Sequence, residues 1–303
     1  MMRRGSKVDA IALVPDRKAI RRWFADIEPA DRERLIAAAR ERFWNLCELS
    51  SVQRQVTGVI ALVNDCPGLA DAYSHLAELR PVAAEALHEL ALEAAGLALG
   101  TGFEKSYKGL FWADHDTRPY MRALYGFAGA ALDRGDRPAA EAHWTRMLTL
   151  CPNDNLGVRY LLVNELLKRG AHDEAGRLCR HYPDDSGIDL AYAAALLAFH
   201  AGGDCGAAKQ AFAANRYVPE LLAATDAVRS SAAAFETLGS LAQAVRYVED
   251  MGEVWRKTEA VDWLGACVKE WARDVYFTAA RRMVRLADGS ASPGDQFEQR
   301  DTN

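Results

Sequence analysis

TRPYMRALYGFAGAALDRGDRPAAEAHWTRMLTLCPNDN, residues 117–155, decides how the chain is built. Two stretches with apolar residues three or four apart flank Asp133-Arg134-Gly135-Asp136, and Pro152 stops the second stretch. That periodicity is helical, and a glycine between two such stretches turns the chain. Thr117 is placed to cap the first helix, and Pro119 suits its first turn. Two readings compete. The stretch is one unit of an array, or its polar start (Thr117, Arg118, Tyr120, Arg122) belongs to an active site.

Internal repetition favours the array. A tetratricopeptide repeat is a helix–turn–helix unit of 34 residues. Its small residues sit near positions 8 and 20, its glycine near 15 and its proline near 32. With Met121 at position 1, Ala128, Gly135, Ala140 and Pro152 fall on positions 8, 15, 20 and 32. With Leu156 first, Gly170 and Ala175 fall on 15 and 20. With Ile188 first, Ala195, Gly202, Ala207 and Pro219 fall on 8, 15, 20 and 32. Small residues let two helices approach closely, and the glycines accept the positive φ that ends helix A. A hairpin cannot bury both faces alone, so neighbours stack. The fold class expected is therefore all-α, a TPR-like right-handed helical-hairpin solenoid with capping helices at the C-terminal end.

The rest of the chain is read outward from there. Residues 1–15 carry no pattern and are expected to be flexible. Residues 16–117 form an N-terminal helical region of degenerate TPR-like hairpins. Asp16 caps its first helix, Pro29 opens the next, and Ser50 and Ser51 precede VQRQVTGVIALVN. Three TPR-like repeats occupy 118–222. Amphipathic helices rich in aromatics (Tyr247, Trp255, Trp263, Trp271) cap the array over 223–286, and 287–303 is a disordered-type tail.

Several segments together resemble a TPR-like family that includes the suppression-of-tumorigenicity proteins and many bacterial tetratricopeptide repeat proteins. They are FWADHDTRPYMRA (111–123), LCPNDNLGVRYLL (150–162), NRYVPELL (215–222) and AVRYVEDMGEVWRKTEAVDWL (244–264). DCPGLADAYSHLAEL (65–79) is similar to the family's first repeat. Cys151 and Leu156 replace the family's usual asparagine and glutamine. The resemblance covers about 50–270. It implies a TPR-type α-solenoid and no established catalytic activity. It marks Thr117, Arg118, Pro119, Pro152, Asn153, Asp154 and Arg159 as a structural family motif.

In such an array helix A lines a groove. Position 5 is Tyr125, Tyr160 and Tyr192 in the three units; Arg122, Asn164, Lys168 and His200 fall beside them. These seven residues are the expected peptide-binding groove, since tyrosine gives rigid contact area with a polar tip. The bland reading packs the tyrosines between helices. Arg118 and Arg122 share a face and suit an acidic ligand, or pair with Asp114, Asp116 or Asp154. Asn153-Asp154-Asn155 reads as a helix cap, with Arg159 returning to Asp154.

No catalytic residue and no metal ligand is assigned. Asp114-His115-Asp116 lies on one loop without a partner at zinc spacing, and His172, Cys179 and His181 lack that spacing too. His75 and His88 read as ordinary helix histidines. No phosphate loop, nucleophile elbow or zinc-protease motif occurs, so no cofactor is expected. A cryptic enzyme centred on Arg118, Tyr120, Asp154 and Arg159 is the least favoured reading.

The net charge of −5 argues against phosphate-backbone partners, so no nucleic acid is expected. The longest apolar run, LAYAAALLAF (190–199), is about half of a membrane span and reads as a buried helix. MMRRGSKVDAIALVPDR does not read as a signal peptide. The six cysteines form no C-x-x-C pair and fit reduced thiols in a cytoplasmic protein. The expected function is non-enzymatic: binding of a protein or peptide segment, with homo-oligomerisation possible. The alternative is an assembly subunit acting through its ends or convex face.

Overall fold

The computed structural model describes residues 10–203, 205–224, 237–269 and 271. Among the described residues there is no β-strand; one isolated bridge joins Phe111 and Asp114. The chain divides into two compact units, Met1–Leu162 and Val163–Asn303.

The first unit begins with α1 (Arg17–Asp26), α2 (Pro29–Cys47) and α3 (Val52–Asp65). Asp16 caps α1 by accepting from the Ala19 amide, Pro29 is the first residue of α2, and Ser51 caps α3 through the Arg54 amide. Then come α4 (Ala70–Leu79), α5 (Ala84–Leu99), the short α6 (Phe103–Ser106), α7 (Arg118–Asp133) and α8 (Arg137–Leu150). Neighbours pack in order. α2 lies on α3 and α3 on α4; α4 lies on both α5 and α7; α5 lies on α7 and α7 on α8. The core between them sets small and aliphatic residues (Ala72, Leu76, Leu87, Ala91, Ala128 and Ala140) beside the buried rings of Tyr73 and Trp144. Alanine at these crossings leaves the closest helix approach that a side chain allows.

The boundary between the units falls inside α9 (Val158–Lys168). The second unit continues with α10 (His172–His181), α11 (Ile188–His200), α12 (Gly206–Ala214), α13 (Val218–Ala223), α14 (Leu241–Arg256) and α15 (260–269). α11 packs on α10, α12 and α14, and α14 on α13. Two expectations change here. Ala208 and Ala211 are the fully buried alanines of α12, while Ala207, expected at position 20, is half-buried. Trp255 of the expected capping region is wholly buried, its ring against Tyr192. Cys205 and Cys267 are joined by a disulfide, so the expectation of six reduced thiols fails for this pair; Cys47, Cys66, Cys151 and Cys179 are free. Residues 1–9 of the expected flexible stretch 1–15 and the tail 287–303 lie outside the described residues, as do 225–236, 270 and 272–286 within the capping region.

The turns repeat more faithfully than the helices. After α7, the Gly135 amide donates to Leu132 O at 2.8 Å and the Asp136 amide to Ala131 O at 2.9 Å. After α9 the same pair is Gly170 to Leu167 O and Ala171 to Leu166 O, at 3.0 and 2.8 Å. After α11 it is Gly202 to Phe199 O and Gly203 to Ala198 O, at 3.0 and 2.8 Å. These are Schellman caps, and the three glycines hold φ of 80°, 76° and 65° as the motif requires. The opposite turn repeats too. α3, α8 and α10 stop at Cys66, Cys151 and Tyr182 with ψ of 80°, 80° and 65°, each just before a proline. Proline excludes helical ψ from the residue before it, which ends the helix there.

Candidate functional site

The family-like segment 111–123 folds as a clamp. Trp112 has φ 74°, a left-handed conformation that a bulky residue rarely adopts. Three bonds hold it there. Its amide donates to Thr117 Oγ1 at 3.0 Å, Thr117 Oγ1 donates to Asp114 O at 2.7 Å, and Arg118 Nε donates to Trp112 O at 2.9 Å. Thr117 therefore makes no side-chain cap of α7, contrary to the expectation, because its hydroxyl is spent on the loop before it. Arg118 pairs with none of the aspartates proposed for it; it lies over the Trp112 ring at 5.4 Å. Pro119 stands in the first turn of α7 as expected. Tyr120 accepts a hydrogen bond from Arg146 at 2.6 Å, and burial pushes its phenol up.

Asp154 and Arg159 are brought together. Asp154 sits at φ 49° and is buried, with Oδ1 accepting from the Val158 amide at 2.9 Å and Oδ2 from the Arg159 amide at 2.8 Å. Arg159 Nη1 returns to Asp154 Oδ2 at 3.0 Å. The cap of α9 is thus the work of Asp154, while Pro152 and Asn153 are exposed. Asp114-His115-Asp116 is a self-contained turn in which Asp114 Oδ1 accepts from the Asp116 amide. Among the described residues no group of three or more metal-ligating side chains is assembled.

The seven groove residues do not share one fate. Tyr192 is fully buried, donates to Asn215 O at 2.6 Å, and packs on the rings of Tyr247 and Trp255 from α14. Burial pushes its phenol far above the ordinary range. Asn164 is buried too. Its Nδ2 donates to Asp189 Oδ1 at 2.9 Å and to Asp250 Oδ2 at 3.1 Å. Lys168 pairs with Glu165 at 2.8 Å and with Asp250. Both contacts to Asp250 are contacts to α14. The face that the repeat register assigns to a ligand is, in the second unit, covered by the chain's own helix. His200 stacks on His172 at 4.2 Å, and its pKa is lowered by burial and then by that neighbour. Tyr160 lies under the Arg159 guanidinium, 4.2 Å from its centroid.

Arg122 and Tyr125 are different. They stand on α7 in the first unit and line an open groove of about 910 Å³. α2 supplies Phe43, Trp44 and Cys47; α4 supplies Asp71, Ser74, His75 and Glu78; the start of α5 supplies Glu85 and His88; α7 adds Gly126, Gly129, Asp133 and Arg134 with it. Trp44 is 56% exposed and Tyr125 42%, both large rings presented to solvent at the groove. Arg122 makes a bidentate pair with Asp71 of α4, at 2.9 and 2.8 Å. It does not meet Asp114, Asp116 or Asp154, and its fork is not left for an acidic ligand.

The wall of this groove also holds Ser74, which no sequence pattern singles out, and His88, expected to be an ordinary helix histidine. Ser74 Oγ and His88 Nδ1 are buried and make no hydrogen bond. A buried polar atom without a partner costs about 1–3 kcal/mol. Burial lowers the His88 pKa to about 4, so its imidazole is neutral at physiological pH. The ring is seated directly on Gly126. A Cβ there would come within 2.1 Å of His88 Cε1. The available signal was Gly126 itself, a glycine inside a helix where alanine is favoured.

Comparison of the chain with protein-family models, curated proteins and solved structures finds no match. The class that the coordinates define is an all-α protein of packed helices. Among the described residues no helix is long and apolar enough to cross a membrane.

Proposed function

We propose that the chain is a TPR-like interaction protein, related to the family that its sequence segments resemble, and that it binds a peptide or protein segment in the groove of its first unit. The carrying observation is that this groove is open, lined by α2, α4 and α7, and presents Trp44 and Tyr125 to solvent above unpartnered polar atoms. The threefold Schellman exit and the three turns before proline support a repeated helix–turn–helix plan. Rigid aromatic faces are the usual anchors of such recognition. The second unit is not proposed as a groove, because α14 already covers Asn164, Lys168 and Tyr192. No reaction is proposed: Arg118, Tyr120, Asp154 and Arg159 each hold a structural partner.

Gly129 offers the test. A Cβ at that position meets no heavy atom within 4 Å, so Gly129→Trp starts a large side chain from open space at the groove, to obstruct it. The anisotropy of a dye-labelled peptide reports occupancy. An array of synthetic peptides is expected to yield binders that G129W and Y125A lose. Binders retained in full by both variants would place recognition elsewhere.

A further inference from the structure

The groove's charges identify its occupant more closely, given the reading just made of it as a peptide site. Four carboxylates line it, Asp71, Glu78, Glu85 and Asp133, against two arginines, Arg122 and Arg134. Both arginines are already matched. Arg122 is held by Asp71 at 2.8 Å, and Arg134 by Glu85 at 2.9 Å. Glu78 has only His75 within ion-pair reach, at 3.8 Å, and Asp133 makes no ion pair among the described residues. Two carboxylates thus face the groove without a lysine or arginine.

Two exposed aromatic residues share the cavity. Trp44 and Tyr125 line it and are open to solvent, and aromatic rings attract cations as well as apolar side chains. Ser74 and His88 stand in its wall with Oγ and Nδ1 closed to solvent, and the neutral His88 ring adds no positive charge. Aromatic rings and carboxylates together select groups that carry positive charge.

We propose that the first-unit groove binds a peptide segment carrying lysine or arginine beside aliphatic or aromatic anchors, with Glu78 and Asp133 receiving the cations. This inverts the acidic ligand that Arg118 and Arg122 suggest in the sequence.

The test uses the full chain and an immobilised nonapeptide array. Each peptide has two apolar anchors (Leu, Phe or Met) at varied spacing and two further positions occupied by Lys or Arg, by Gln, or by Glu. Hits are measured by fluorescence anisotropy. Lys and Arg peptides are expected to dominate, to bind about fivefold more weakly to the Glu78→Gln, Asp133→Asn double variant, and to weaken as salt rises. Glu or Gln peptides dominating, or affinities unchanged in the double variant, overturn the charge assignment while leaving the groove in place. No array member retained, or hits kept by G129W with an unaltered melting curve, overturns the groove and the charge assignment with it.

Discussion

Two glycines three residues apart on α7 should respond to the same substitution with opposite sign. Gly126 and Gly129 both lie inside the helix and both border the groove. Alanine in place of an interior helix glycine stabilises by about 0.5–1 kcal/mol, because the unfolded chain loses freedom. At 129 nothing stands within 4 Å of the added methyl, so the whole gain is expected. At 126 the methyl would lie 2.1, 2.5 and 2.8 Å from three atoms of the His88 ring. The shortest is more than an ångström inside ordinary contact, and His88 is 5% exposed, with little room to retreat. Overpacking of this kind costs about 1–3 kcal/mol. The propensity gain is common to both sites, so the difference between G129A and G126A isolates the overpacking cost. For a difference of about 2 kcal/mol, the melting temperatures separate by roughly 4–8 °C in a unit of this size. Urea unfolding of the two variants measures it directly. A third variant closes the argument: in the H88A background, G126A should lose its penalty, giving a coupling of about 1–2 kcal/mol in the double-mutant cycle. If G126A stabilises as much as G129A, the ring is not packed on α7 and the wall of the groove is wrongly described.

Four other outcomes are expected. Asp154→Ala removes two amide caps and the carboxylate that pairs with Arg159, and should cost about 3 kcal/mol in urea unfolding, with D154N costing less because asparagine keeps one acceptor and tolerates φ 49°. His88, with its folded pKa lowered to about 4, contributes stability that is complete above its unfolded pKa near 6.5 and is lost as pH falls toward 4. The unfolded chain binds the proton in that window and the folded one does not, so the loss is about 3 kcal/mol, and H88Q should flatten this part of the pH–stability curve. Tyr192→Phe leaves Asn215 O without its donor and should destabilise by about 1–2 kcal/mol while leaving peptide binding unchanged; Y125A should do the reverse. Reducing the Cys205–Cys267 disulfide, which spans a sequence separation of 62, should lower stability by up to about 4 kcal/mol, and C205S/C267S should match the reduced protein.

Much of the helical plan is legible because its signals are local. Asp16, Pro29 and Ser51 start helices where their chemistry says they should. Gly135, Gly170 and Gly202 take positive φ because each turn closes its own carbonyls within six residues. Asp154 and Arg159 are five residues apart, so their pairing is also local. Thr117 shows the limit. The hydroxyl of a threonine before a helix suits a cap, yet here the amide of Trp112 and the carbonyl of Asp114 compete for it and win.

The candidate site depends on which surfaces remain uncovered, and helix periodicity does not carry that information. Position 5 of the repeat is tyrosine three times, and the three side chains meet three surroundings. Tyr125 faces solvent, Tyr160 lies against Arg159, and Tyr192 is sealed by Tyr247 and Trp255. What separates the first from the last is α14, more than 40 residues after Tyr192 along the chain. Asp250 on that helix meets both Asn164 and Lys168, which the register assigns to a ligand. A tyrosine row flanked by Asn and Lys therefore describes the chemistry of an occupant correctly and leaves its identity open: α14 meets those requirements from within the chain. The first unit has the same kind of wall, and among the described residues no helix of that unit fills it. On the reading proposed above, a partner's cations meet the exposed Glu78 and Asp133, as Lys168 meets Asp250 in the second unit.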